Sequence, residues 1–238
     1  MNLPFTTTQF VEVFTRYNAA IGLVPLIAYA LAAASVYFAI RPRPWSGRFI
    51  GLSLAGMWAF TGIGYHLMSF SAISPAAWFF GALFVVQAVC FAAASLRGRL
   101  RFAFNAREFR TRMGLVMVAF STIAYPLIGI ASGHGYPNGP AFGVTPCPLV
   151  IFTFGLLLFT DRSMPKYLVA IPLAWALLGS TAAISLGIRE DAGLLVAGVL
   201  ATISLLARKP VRTRRAQERL ATAEARNVEA APASTTLG

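Results

Sequence analysis

Seven apolar runs divide the chain, at roughly 19–40, 49–69, 77–96, 113–132, 146–160, 167–187 and 192–207, and none of them contains a Lys, Arg, Asp or Glu. Most approach the ~20 residues that a helix needs to cross a bilayer. They show no two-residue alternation of apolar and polar positions, and backbone groups in hydrocarbon must be paired within the segment, so the runs predict helices rather than barrel strands. The pattern therefore predicts an all-α polytopic membrane protein with seven transmembrane helices over 19–207. Ahead of the first run, FTTTQFVEVFTRYN puts Phe10, Phe14 and Tyr17 on one helical stripe with threonines as caps. This predicts an interfacial helix within 1–18, with Glu12, Tyr17 and Asn18 as the side chains able to reach inward. Residues 208–238, basic at first and then rich in Ala, Glu, Thr and Pro, read as a largely disordered tail.

Composition agrees: 57% of the 238 residues are hydrophobic and 12% are charged, with a mean hydropathy of +0.68. Charge adds a direction. The connections 41–48, 97–112 and 161–166, with the tail from Arg208, hold 18 of the 20 Lys and Arg, leaving only Arg16 and Arg189 elsewhere. Basic residues are retained on the cytoplasmic face, so the expected topology is N-terminus out and C-terminus in. The six arginines of 97–112 are expected to lie along the inner leaflet and hold anionic lipid, and the net charge of +12 is read as lipid-facing rather than as a nucleic-acid surface. Cys90 and Cys147 fall at different depths, on the order of 20 Å apart at the usual helical rise, which argues against a disulfide between them.

With that orientation the reactive side chains collect on the outer side. Tyr65 and His66 close the second run, and Ser69, Ser71 and Ser74 follow in a turn. His134, Tyr136, Asn138 and Cys147 belong to the connector GHGYPNGPAFGVTPCP between the fourth and fifth runs, and Arg189, Glu190 and Asp191 form the last outer turn. The glycines and prolines of 133–148 supply unusual backbone angles and stop helix propagation, so the connector is expected to fold back into the protein. The fifth run is short, which predicts a recessed helix N-terminus beside Cys147. Tyr65, His66, His134, Tyr136, Cys147 and Asp191 are the candidate substrate-binding set, and His66, His134 and Cys147 the candidate metal ligands.

Lys166 and Lys209 are the only lysines and both fall on the basic side, which excludes a retinal Schiff base. No HExxH, GxSxG, CxxC or phosphate-loop motif is present, so catalysis has no motif behind it and no cofactor is named. A shift of 117 residues lays Trp58-Ala59 on Trp175-Ala176, Gly62 on Gly179 and Gly81 on Gly198, a possible internal repeat of three helices. PFTTTQFVEVFTRYN, GYHLMSFSAISPAAWFFGALFVVQA, GHGYPNGPAFGVTPCPLVIFTFGLLL and PLAWALLGSTAAISLGIREDAGLLVAG resemble a family of bacterial integral membrane proteins known only as a domain of unknown function. The resemblance implies a compact multi-helix membrane domain in a bacterial inner membrane and supplies no catalytic residue. The expected function is transport or facilitated passage of a small solute or ion through an outward-facing His/Tyr/Cys site. The alternatives are a redox, metal or haem protein, with His66 and His134 as ligands, and an accessory subunit of a larger membrane complex.

Overall fold

Thr6 sets the first helix boundary. Its hydroxyl accepts the Gln9 N–H at 3.3 Å and the Gln9 carboxamide accepts the Thr6 N–H at 2.8 Å, the reciprocal pairing of a capping box. The computed structural model describes residues 4–161, 164–186 and 191–207, with backbone alone over 182–186 and at 192, all within one unit, Met1–Ala207. Its helices are α1 Thr7–Ile21, α2 Val24–Ile40, α3 Ser46–Phe60, α4 Ala76–Leu96, α5 Phe109–Ala119, α6 Tyr125–Ala131, α7 Pro146–Leu157, α8 Ala170–Leu186 and α9 Ala192–Leu206. α3 runs on into a π turn over Thr61–Leu67, and α5 joins α6 through a second one over Phe120–Ala124. No strand occurs among the described residues; a single antiparallel bridge pairs Phe102 with Thr160.

The centre is occupied by the shortest of the predicted runs. Every residue of α7 from Pro148 to Leu157 is buried, with α5, α9, α8 and α3 packed around it. A helix that is apolar on every face has to be covered on every face. Close crossing is made possible by Gly114 and Gly155. A Cβ on Gly114 would sit 2.6 Å from the Gly155 carbonyl oxygen, and one on Gly155 would sit 2.8 Å from that of Gly114. The two helices touch through their backbones, as small residues allow.

Among the described residues, length and composition by themselves support two or three full crossings rather than seven. Among the described residues, only Ala76–Leu96 and Phe109–Ala131 are long and apolar enough to cross a membrane by themselves, and α1 with α2 makes a third if the pair is one broken span. The halves of that pair are bent by 81°, at Gly22, whose φ of 53° favours glycine. The last three runs become shorter apolar helices, Pro146–Leu157, Lys166–Thr181 and Gly193–Leu206. The physical reason is that an apolar run records what its residues avoid, which is water, and protein interior satisfies that as well as lipid does.

The amphipathic stripe of α1 is also covered by protein. Phe14 and Tyr17 are buried; the Phe14 ring stacks 5.3 Å from Tyr65, and Phe10 meets Phe70 edge-on at 6.0 Å. α1 thus packs its apolar stripe as a bracket against the end of the bundle.

At the opposite end the segment 97–112 is a strap rather than a free loop. Phe104 N–H donates to Ala39 O and Ala103 N–H to Phe159 O, both at 2.9 Å, and Asp161 N–H donates to Arg101 O at 3.0 Å. These bonds tie the ends of α2 and α7 together. Leu100 and Phe102 point inward and are buried, while Arg97, Arg99 and Arg101 are exposed. Around the bundle, Leu26, Ile27, Phe79, Val89, Ile123 and Ile203 are all more than half exposed.

The suggested repeat has a counterpart in packing. Gly62 and Gly81 face each other across α3 and α4, each 3.1 Å from where the other's Cβ would be placed, measured to its carbonyl oxygen. Across α8 and α9, Gly198 abuts Ala176, where a Cβ would come 2.5 Å from the alanine methyl, and Gly179 abuts Leu194. Each hairpin places its matching glycines at the helix contact.

Candidate functional site

The connector folds into the protein, as its glycines and prolines predict. Residues 141–146 are buried, and Gly133 and Gly143 adopt φ values of 80° and 73°, which side chains rarely tolerate. α1 holds this segment like a clamp. Tyr17 donates its hydroxyl to Val144 O at 2.7 Å, and Asn18 Nδ2 donates to Pro137 O at 2.6 Å and Gly139 O at 2.9 Å. Tyr136 returns its own hydroxyl to Asn18 O at 3.2 Å, and Thr15 donates to Asn138 Oδ1 at 2.9 Å. Of the three side chains expected to reach inward, Tyr17 and Asn18 do so. Glu12 stays outside and pairs with Arg16 at 2.5 Å. Tyr17→Phe removes one buried hydrogen bond and should lower stability by about 1–2 kcal/mol, read as a small drop in melting temperature in detergent.

α7 begins at Pro146, preceded by Thr145, whose hydroxyl donates to Ala141 O at 2.8 Å instead of capping the helix. The N-terminus is recessed, as expected, but it offers fewer N–H groups than a helix start normally leaves. Pro146 and Pro148 have none, which suits the first turn of a helix. Cys147 between them is partly buried, and both Cys90 and Cys147 are thiols.

The six predicted site residues do not form one cup. Tyr65 lies within electrostatic reach of Cys147, Tyr17 and Asp191, so these sit at one end of the bundle. His66 is fully buried in an aromatic cage, with ring centroids 4.8 Å from Phe84 and 5.1 Å from Trp175. Both of its nitrogens, and Trp175 Nε1, are buried with no hydrogen-bond partner. His134 belongs elsewhere, between the connector and α1 on one side and α6 on the other; its N–H donates to Gly129 O at 2.7 Å. His66 lines neither of the spaces that His134 borders. Among the described residues no three His, Cys, Asp or Glu side chains gather as a metal site requires, so His66, His134 and Cys147 are not one ligand set. The sequence placed these residues on one side of the chain; helix rotation then turned His66 inward, away from the connector. Arg189 and Glu190 lie outside the described residues. Ser69 and Ser71 bond their own backbone, to Gly64 O at 2.9 Å and Leu67 O at 2.6 Å.

What the structure builds instead is a cleft of about 360 Å³ between α2, α6 and the connector. Tyr29, Tyr125, His134 and Tyr136 supply its polar groups, and Leu26 and Phe142 are among its apolar ones. It owes its shape to Pro126. A proline has no N–H for the carbonyl four residues earlier, here Thr122, inside the π turn that joins α5 to α6. Tyr29 of α2 donates its hydroxyl to that carbonyl at 3.1 Å. Tyr125 donates to the buried Asp191 Oδ1 at 2.5 Å, which connects the cleft wall to the start of α9.

A family model matches residues 7–217, from the first turn of α1 to beyond α9. The chain belongs to DUF6064, a family of unknown function. No curated protein and no solved structure matches it. The DUF6064 match takes in the clamp, the connector and the cleft together, so these are parts of one domain. Two cleft residues of this DUF6064 chain, Tyr29 and Tyr125, escaped the sequence reading. A signal was available for the break beside Tyr125: Pro126 inside an apolar run has no N–H for the Thr122 carbonyl, which calls for a donor from elsewhere. Tyr29 carried no such mark.

Proposed function

We propose that this DUF6064 protein is a multi-pass inner-membrane protein that crosses the bilayer seven times, with its arginine-rich end in the cytoplasm, and admits a small solute at its outer end. The cleft of about 360 Å³ bordered by His134 and Tyr136 carries this reading. Its size falls within the range of small-molecule sites, which are mostly apolar with a few placed polar groups. The exposed apolar side chains around the helices support insertion in lipid, and the exposed arginines of the strap support contact with anionic headgroups. The shorter helices cross with the strap and connector completing the protein's thickness at either end.

The topology is tested with single-cysteine variants in a background where Cys90 and Cys147 are alanine. Asn138→Cys should react with an impermeant maleimide in intact cells and Arg99→Cys only after lysis; the reverse order overturns the orientation. Function is tested by solute uptake in proteoliposomes over a broad panel. His134→Ala should reduce uptake about tenfold, the equivalent of one lost hydrogen bond of roughly 1.4 kcal/mol. Identical flux for variant and wild type across the panel would count against the reading.

A further inference from the structure

At the arginine-rich end, the strap fastens connections that lie far apart in sequence. Phe104 N–H reaches Ala39 O at the end of α2, and Asp161 N–H reaches Arg101 O. The strap also touches the first turns of α3 directly: a Cβ on Gly47 would collide with the Leu100 carbonyl oxygen, and one on Gly51 with the Ser95 hydroxyl. Arg41 and Arg43 ahead of α3, Arg48 in its first turn, and Arg97, Arg99 and Arg101 are thereby held around one stretch of backbone, and all six are exposed. Leu100 and Phe102 turn inward, so Arg99 and Arg101 share the outer face, about 6.6 Å apart at the usual strand rise. Gly47 meets the strap between them, which brings Arg48 alongside.

Among the described residues, none of the six makes an ion pair. Glu108 is taken by Arg110 at 3.2 Å, and Arg110 also donates to Thr160 O at 2.6 Å. Like charges gathered on a fixed frame repel one another, and backbone contacts that already fix the frame leave little further ordering for an anion to impose. Guanidinium forks fit phosphate oxygens. The neighbours decide which anion. Ile40, Trp45 and Leu96 adjoin these arginines in the chain and are 47%, 47% and 61% exposed. Trp45 is held edge-on against Phe38 at 4.5 Å, an indole fixed at the surface as at a membrane boundary. A soluble polyanion would leave these apolar side chains in water, whereas a phospholipid covers them with its acyl chains while its phosphate meets the arginines. We infer that the strap and the first turn of α3 form a discrete seat for the phosphate of an anionic phospholipid, centred on Arg48, Arg99 and Arg101. A lipid held there braces the junction of α2, α3 and the strap. This inference rests on the proposed insertion in lipid and names where, and by which groups, one lipid is held.

The test melts the full chain in dodecyl maltoside micelles with added lipid. Phosphatidylglycerol at about a hundred times its Kd should raise the melting temperature by roughly 5–10 °C. Phosphatidylcholine should not, and neither should glycerol 3-phosphate, which carries the phosphate without the chains. Arg99→Gln with Arg101→Gln should lose at least half of the shift while melting like wild type without lipid, since both side chains are exposed. Arg107→Gln with Arg112→Gln removes the same charge on the α5 side of the strap and should keep the shift. Equal loss in the two double variants would overturn the seat in favour of diffuse charge. An equal shift with phosphatidylcholine would overturn headgroup recognition, and one with glycerol 3-phosphate would overturn a lipid as the occupant. The micelle measurement does not depend on orientation or on uptake. A shift confined to the seat, with the maleimide order reversed, keeps the seat and removes the topology; no shift, with the maleimide order as expected, removes the seat alone.

Discussion

Gly155→Val should prevent residues 4–207 from assembling, or lower their stability by more than about 3 kcal/mol. Overpacking a core usually costs about 1–3 kcal/mol because flexible side chains can shift aside. Here the obstruction includes backbone. A Cβ on Gly155 would sit 2.8 Å from the Gly114 carbonyl oxygen, 2.8 Å from Val118 Cγ2 and 3.0 Å from the Val118 nitrogen. Valine adds two further methyl groups to that crowding, so α5 and α7 must separate. Since α7 is the element around which the others pack, their separation opens the centre of the protein. A folded domain has only about 5–15 kcal/mol in hand, which makes the effect visible as lost helicity, aggregation on size exclusion or a large fall in melting temperature in detergent. Gly155→Ala should fall between. Gly56→Ala is the control: the position is exposed and no atom lies within 4 Å of the added methyl, so stability should hold or rise by about 0.5 kcal/mol. A Gly155→Val protein that melts with wild type would mean the α5–α7 crossing is not the one described.

The second large effect is local. Asn18→Leu keeps the branching and the number of heavy atoms but removes the amide that binds Pro137 O and Gly139 O. Leaving a buried acceptor without its donor costs about 1–3 kcal/mol; Gly139 is buried whereas Pro137 is exposed to water, so the expected loss is roughly 1–3 kcal/mol. It should be confined to the clamp. Hydrogen exchange should accelerate over 133–145 and in α1, while α3, α4, α7 and α9 stay protected, because local opening has its own free energy below the global one. The proposed solute binding in the cleft should weaken with it, since His134 and Tyr136 ride on the connector. Uniform exchange at wild-type rates would show that Asn18 does not hold the connector, and uniform acceleration everywhere would show that the clamp is no separate unit. Glu12→Gln, which removes only an exposed pair with Arg16, should leave the exchange pattern unchanged.

The same contrast shows how far residue order alone reaches. Thr6 as a cap follows from Thr-x-x-Gln, and the inward fold of 133–148 from the glycines and prolines it contains, because such features are governed by a residue and its near neighbours. The site was legible only as a region. Residues near the ends of successive runs can be assigned to one side of the chain, but whether two of them meet depends on how each helix is rotated about its axis. His66 is at the end of its run as expected, yet on the π turn over Thr61–Leu67 its ring sits in an aromatic cage rather than on the connector. Tyr29 bonds Thr122 O from 93 positions away, a pairing no local pattern announces.

By itself the sequence determined the all-helical character, the rough positions of the apolar helices, and the grouping of arginines in connections that the structure ties together at one end. Each of these follows from backbone pairing, capping and charge, which act over a few residues. Only the tertiary structure decided that α7 lies at the centre instead of facing outward, that α1 brackets the connector, that His66 turns into an aromatic cage away from His134, and that the cleft falls between α2 and α6. The reason is common to all four: apolar residues leave water for protein or for lipid with similar ease, and the choice between the two is made by which helix faces happen to fit one another.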